Sequence, residues 1–235
     1  MEINIDKTKV MATSKNICSI FLQKEQLKQV DTFLYLGSLI SDDGDCKTDI
    51  RARLGKGKST ETSLKKIWKA HDVSLQTKVR LLKAIVWPVA SYGCESWTIK
   101  KADEARINAF EMKGFRQILR VSWTAKRSND WVLEKLCIKR TFLGTLKRRK
   151  LTYFGHVMRN SGNSLEKEIM QGTTQGARRK GRPRTSWTEN IMDWTGMTME
   201  QVVRKTEDRL EWRKISHGAA NPRNEEGCSQ VKHDT

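Results

Sequence analysis

S-L-Q-T-K-V-R-L-L-K-A-I-V-W-P-V, from Ser74 to Val89, is the stretch that decides the fold class. Leu75, Val79, Leu82, Val86 and Val89 recur at steps of three and four residues. That spacing gathers them on one side of a helix. Pro88 has no backbone N–H to continue the helical ladder, so a kink or an end is expected near Trp87.

The same period runs outward on both sides. Upstream, a helix is expected from Asp45, its N-cap, to about Ala70, with a weak point at Gly55–Gly57. Downstream, over about Lys101–Val121, Ile107, Phe110, Phe115 and Ile118 share one side of a helix. Arg106, Lys113, Arg116 and Arg120 take its other side. A helix over about Leu143–Arg159 turns Leu146, Phe154 and Val157 inward and crowds Lys147, Arg148, Arg149 and Lys150 at one level. Shorter helices are expected over about Ser164–Met170, Trp187–Trp194 and Thr198–Ser216, the last opened by a Thr198/Gln201 capping box. His217–Thr235 has no period and reads as a disordered tail.

The first forty residues follow a different rule. Ile3 and Ile5 alternate with polar neighbours, Cys18–Leu22 is a candidate strand, and Phe33–Ile40 is a short apolar run containing Gly37. Ser41–Asp45, S-D-D-G-D, has turn composition. The expected fold class is therefore mainly α, within α+β: a short N-terminal β portion, a helical body and a small helical module at the end.

Charge narrows the function. Among 235 residues, 45 are Lys or Arg and 27 are Asp or Glu, a formal net charge of +18. Such a balance calls for a polyanionic partner, nucleic acid or an anionic membrane. Membrane is disfavoured, because the longest apolar stretch, Leu81–Trp97, is broken by Lys83, Pro88, Ser91 and Glu95. The start, M-E-I-N-I-D-K-T-K-V, has no signal-peptide character. Five scattered cysteines form no zinc-type spacing and read as reduced thiols, so a nuclear or cytoplasmic location is expected.

Within this background, Arg178, Arg179, Lys180, Arg182 and Arg184 crowd around Gly181 and Pro183. An extended arginine-rich loop tracks phosphates largely independently of sequence. Its Gly-Arg-Pro core also has the composition of an AT-hook, which lays arginine in a narrow minor groove. A solvated linker or an import signal has the same composition. Lys147, Arg148, Arg149 and Lys150, with Arg116 and Arg120, are candidates for a second phosphate-tracking face, against the plainer reading of a solvated helix side. The eight tryptophans read mostly as core, with Trp123 and Trp187 as candidate stacking platforms. Asp42–Asp43 is a turn rather than a metal pair, since two-metal chemistry needs carboxylates converging from separate elements. Gly55-Lys56-Gly57-Lys58-Ser59 lacks phosphate-loop spacing.

Six segments in order resemble the reverse transcriptase of non-LTR retrotransposons, RTE-type endonuclease–reverse transcriptases above all. They are I-N-I-D-K-T-K-V-M (Ile3–Met11), F-L-Y-L-G-S-L-I (Phe33–Ile40), W-P-V-A-S-Y-G-C-E-S-W-T (Trp87–Thr98), R-R-K-L-T-Y-F-G-H-V-M-R (Arg148–Arg159), R-R-K-G-R-P-R-T-S-W (Arg178–Trp187) and T-E-D-R-L-E-W-R (Thr206–Arg213). The resemblance spans about Ile3–Gly227. It implies that residues 1–44 are a palm remnant with a primer-grip-like hairpin at Tyr35, Leu36 and Gly37. Residues 45–160 would be a helical thumb, 161–186 a basic linker, 187–217 a small helical module and 218–235 a tail. Lys7 would correspond to the lysine proposed as general acid for the leaving pyrophosphate.

The resemblance also implies what lies outside this chain. The fingers, the catalytic aspartates that hold Mg²⁺ and the endonuclease would all precede Ile3, and the closely spaced Cys and His of a zinc knuckle do not occur here. The chain by itself is expected to be inactive as a polymerase and to hold no cofactor. Its expected partners are nucleic acid (RNA–DNA hybrid, RNA or duplex DNA) and the palm and fingers of the parent. The alternatives are a co-opted AT-hook-like DNA-binding protein and a non-functional orphan fragment.

Overall fold

Ser74 accepts a hydrogen bond from the Thr77 N–H (3.2 Å) and so starts the helix that the Ser74–Val89 pattern requires. The computed structural model of the chain describes residues 3–5, 7–12, 17–22, 24–160, 165–171 and 185–220. Its helices are α1 (Lys47–Ser63), α2 (Lys65–Lys69), α3 (Leu75–Leu81), α4 (Trp87–Ala90), α5 (Lys101–Leu119), α6 (Asn129–Lys135), α7 (Phe142–Met158), α8 (Leu165–Gln171), α9 (Trp187–Thr195), α10 (Met199–Glu207) and α11 (Arg209–Ala220). The fold is mainly α, with a few short strands.

Several expectations are refined. The kink before Pro88 is a π-helical turn, Leu82–Val86, joining α3 to α4. Widening the turn there accommodates a proline that lacks its N–H. The helix expected over Thr198–Ser216 is two helices, because Asp208 adopts an extended conformation (ψ 108°). The Asp208 carboxylate then accepts from the Leu210 and Glu211 N–H groups (2.7 and 3.1 Å), which lowers its pKa and starts α11 afresh. The first helix has Cys46, not Asp45, at its N-cap, without a side-chain cap bond, although the Asp45 carboxylate one residue earlier accepts from the Lys47 N–H (3.0 Å). Helix α6, capped by Ser128, has no counterpart in the sequence pattern.

At the N-terminus, β1 (Lys9–Val10) pairs in parallel with β4 (Lys28–Gln29), and β2 (Phe21–Leu22) pairs antiparallel with β3 (Glu25–Gln26). β5 (Thr32–Tyr35) and β6 (Ser38–Ser41) form a hairpin with Phe33 opposite Ile40 and Tyr35 opposite Ser38. Leu36 and Gly37 both have positive φ (47° and 83°), the requirement of a two-residue type I′ loop. Buried Asp49 of α1 seats this hairpin: it accepts from the Leu39 N–H (2.9 Å) and from Trp97 Nε1 (2.8 Å). Arg53 donates to the Gly37 carbonyl and stacks on the Tyr92 ring (4.3 Å), and the Tyr92 hydroxyl donates to the Leu36 carbonyl (3.1 Å).

The apolar residues form two clusters. One gathers Ile50, Trp68, Leu82, Trp97, Phe115, Phe142 and Leu146 from α1 to the start of α7. The other gathers Leu151, Phe154, Val157, Ile191, Val202 and Trp212. Helix α7 contributes to both, so the C-terminal helices share their core with the expected thumb. Gly155 of α7 makes room for Trp212 of α11, whose Nε1 donates to the Leu151 carbonyl (2.9 Å).

Two glycines of α1 set up a paired test. A Cβ on Gly57 would stand 2.8 Å from the Ala90 Cβ and 3.0 Å from Phe110, whereas one on Gly55 would meet nothing within 4 Å. Gly55→Ala should raise stability in urea titration by up to about 1 kcal/mol through helix propensity. Gly57→Ala should lower it by about 1–3 kcal/mol through overpacking. Equal effects of the two would contradict this packing of α1 on α4 and α5.

Candidate nucleic-acid interface

Arg148, Thr152, His156 and Arg159 follow one another on α7 at steps of four, four and three, which makes them one stripe. Arg209 and Arg213, four apart, form a stripe on α11. Both stripes line a cleft of about 1180 Å³, closed by the turn from Gly93 to Ser96, by Trp187 and Thr188 of α9, and by Ile169 and Met170 of α8. Its charged lining is five arginines, one histidine and one carboxylate, Glu95. That carboxylate is already neutralised by Arg149, whose Nε and Nη2 lie 2.8 and 2.7 Å from Glu95 Oε1. Arg148, Arg209 and Arg213 have no ion-pair partner among the described residues, so their charge faces the cleft uncompensated.

Aromatic rings share this lining. Tyr153 is exposed and meets Trp187 edge-on, with centroids 6.4 Å apart and planes at 85°. Trp187 Nε1 donates to the Glu95 carbonyl (2.8 Å), and Phe154 packs on it (6.2 Å), which fixes the indole. Trp212, beneath, is buried.

The four basic residues Lys147 to Lys150 separate into four situations. Lys147 pairs with Glu104 (2.9 Å) and lies over Trp194 (5.2 Å). Arg148 faces the cleft, while Arg149 is tied to Glu95 and to Ser91 (Oγ at 2.7 Å). Lys150 is fully buried and offers no charge to a phosphate, which corrects its assignment to a surface face. Its ammonium donates to the Trp97 carbonyl (2.9 Å) and Asn190 Oδ1 (3.0 Å), with the Trp187 ring 4.4 Å away. Burial pushes the Lys150 pKa down to about 7. The same burial pushes the Cys94 thiol up to about 12.

The other candidates stand elsewhere. Arg116 donates to the Arg127 carbonyl (3.0 Å) and Asn129 Oδ1 (2.8 Å). Arg120 contacts His71 and the Lys69 carbonyl and borders a separate pocket of about 340 Å³. Neither shares the α7 stripe. Tyr35, Leu36 and Gly37 are exposed at the hairpin tip, next to the cleft through the turn holding Tyr92 and Gly93. Lys7 is exposed in an N-terminal turn, its N–H on Asn4 Oδ1 (3.0 Å), and does not line the cleft. Arg178, Arg179, Lys180, Arg182 and Arg184 lie outside the described residues. Of the Trp pair singled out for stacking, Trp187 does line the cleft.

Sequence reasoning missed Tyr153, Arg159, Arg209 and Arg213. The helical spacing of Arg148, Thr152, His156 and Arg159 opposite the apolar side of α7 was a usable signal. The pairing of that stripe with α11 was not, because it depends on Trp212 crossing at Gly155.

Against this geometry, comparison with known proteins gives one informative likeness. The chain is 27% identical over 236 residues to an uncharacterized transposon-derived protein of Caenorhabditis elegans, covering 90% of this chain and 81% of that protein. The likeness is to a transposon-derived protein. No family model matches the chain, and no solved structure matches it. Among the described residues, no helix is long and apolar enough to cross a membrane.

The buried ammonium makes stability depend on pH in a definite direction. An unfolded lysine titrates near 10.5, the folded Lys150 near 7. Between those values the unfolded chain holds a proton that the folded chain has released. Stability contributed at this position therefore rises as pH goes from about 7 toward 10. In urea titrations at pH 7 and pH 9, the natural chain should gain more stability across the interval than Lys150→Met. Parallel pH profiles for the two would show that Lys150 keeps its ordinary pKa.

Proposed function

We propose that this chain is the nucleic-acid-gripping C-terminal part of a retrotransposon-type reverse transcriptase. In this reading the polymerase chemistry, with its Mg²⁺, belongs to the parent, and this chain's residues hold template, primer or target. The observation that carries the reading is the cleft between α7 and α11: five arginines, exposed aromatic surface and a single carboxylate already paired with Arg149. Phosphates meet arginine at such a surface by releasing counterions, and the chain's net charge of +18 favours the same class of partner. The likeness to a transposon-derived protein supports the retroelement origin, and the six ordered segments supply the reverse-transcriptase part of the reading. The hairpin tip at Tyr35–Gly37 would then present backbone toward the primer, with the cleft on the other side of the Tyr92–Gly93 turn.

Arg209→Ala with Arg213→Ala should weaken binding to an RNA–DNA hybrid that carries a single-stranded template overhang and flatten log K against log salt by about one unit of slope per residue. A charge-matched control, Arg51→Ala with Lys66→Ala, removes two exposed charges outside the cleft and should leave most of the affinity. Equal losses from the two pairs would mean that total charge, rather than the cleft, holds the nucleic acid.

A further inference from the structure

We infer that the cleft takes an unpaired nucleic-acid strand, threading it between the α7 and α11 arginines with a base against Tyr153. The inference rests on the cleft being a nucleic-acid site and names which form of nucleic acid it accepts. Three features of the geometry point to a single strand. The site is a groove with arginines on both of its helical walls, which suits a single strand whose backbone lies along it. Tyr153 and Trp187 meet at 85°, making a corner whose walls are a ring face and a ring edge. A base stacked on the exposed Tyr153 face would be flanked by the indole, and only an unpaired base can present its face in this way.

The second feature is preorganisation. The Trp187 indole is fixed by its bond to the Glu95 carbonyl and backed by the Lys150 ammonium and Phe154. A base arriving at the corner meets a wall already in place, and little side-chain freedom is lost on binding. Tyr153 also brings a phenolic hydroxyl with no hydrogen-bond partner among the described residues, and Thr152 and His156 stand exposed beside it. These are donors and acceptors suited to base edges.

The third feature is length. From Arg148 to Arg159 the α7 stripe covers about 16 Å of helix axis at about 1.5 Å per residue. At about 3.4 Å per stacked nucleotide, that is a site of roughly four to five nucleotides. Arg148 and Arg159 mark its two ends on α7, and Arg209 and Arg213 face it from α11.

The test is fluorescence anisotropy with the full chain and homopolymer single strands of increasing length, in DNA and RNA, against a hairpin duplex. Single-strand affinity should climb with length and level off near roughly five nucleotides. Tyr153 is exposed on its helix, so Tyr153→Leu should fold normally. It should cost about tenfold in single-strand affinity, the scale of one base stacked on a ring, and leave duplex affinity unchanged. Tyr153→Phe should retain single-strand binding. An equal loss on duplex and single strand, or no loss on either, would overturn the single-strand assignment while leaving the cleft a nucleic-acid site. Unchanged binding to every probe in Arg209→Ala with Arg213→Ala would instead remove the cleft itself from the binding surface.

Discussion

The structure turns on one buried lysine. Lys150 is held inside the protein between the Trp97 carbonyl and Asn190, and Asn190 in turn pairs with both backbone groups of Ile99, at 2.7 and 2.8 Å. Three stretches distant in sequence, α7, the segment Trp97–Ile99 and α9, thus meet at one node. It sits at the junction of the two apolar clusters. Burying a lysine is costly unless its hydrogens are placed. Here two acceptors and the faces of Trp187 and Trp194 receive the ammonium. Whatever fixes α9 against α7 also fixes the mouth of the cleft, since Trp187 starts the one helix and Tyr153 lies on the other.

The same node explains how neighbouring basic residues came to differ. Successive positions on a helix turn by about 100°, so Lys147, Arg148, Arg149 and Lys150 face four directions rather than one. One direction meets Glu104, one the open cleft, one Glu95 and one the interior. A count of positive charge treats the four as equal. Charges already paired are less available to a polyanion: of the α7 arginines that line the cleft, Arg149 is held by Glu95 and Arg159 donates to the Thr206 carbonyl (3.0 Å), while Arg148 has no ion-pair partner among the described residues.

Much of the fold was legible because period and capping are local properties. The apolar stripe of Ser74–Val89, the Thr198/Gln201 capping box and the turn at Ser41–Asp45 required only near neighbours. The break at Asp208 was less legible, since an aspartate inside a helical pattern becomes a cap only when the chain bends there. Helix α6 was missed because its seven residues are too few to display a period. Of the site, Arg148, Arg149 and Trp187 were legible from charge and composition. Tyr153, Arg209 and Arg213 were not, because the α7–α11 pairing depends on a glycine that admits a tryptophan, a complementarity no single segment displays.

The hairpin and the cleft are mechanically linked. Leu36 carries a left-handed backbone on a side chain that is 73% exposed, an arrangement that gains nothing from burial and is strained by itself. It persists because Arg53 and Tyr92 grasp the carbonyls of Gly37 and Leu36, and because Ser38 lies against Gly93, where no Cβ intrudes. Gly93, Glu95 and Ser96 of that same turn form a wall of the cleft. Asp49 ties both sides together through Leu39 and Trp97, and Trp97 leads directly to the Lys150 node. A series of hydrogen bonds therefore runs from the hairpin through Asp49 and Trp97 to Lys150 on α7, the helix that also carries Arg148 and Arg159. The hairpin tip and the cleft wall are thus tied to one framework of side-chain and backbone bonds.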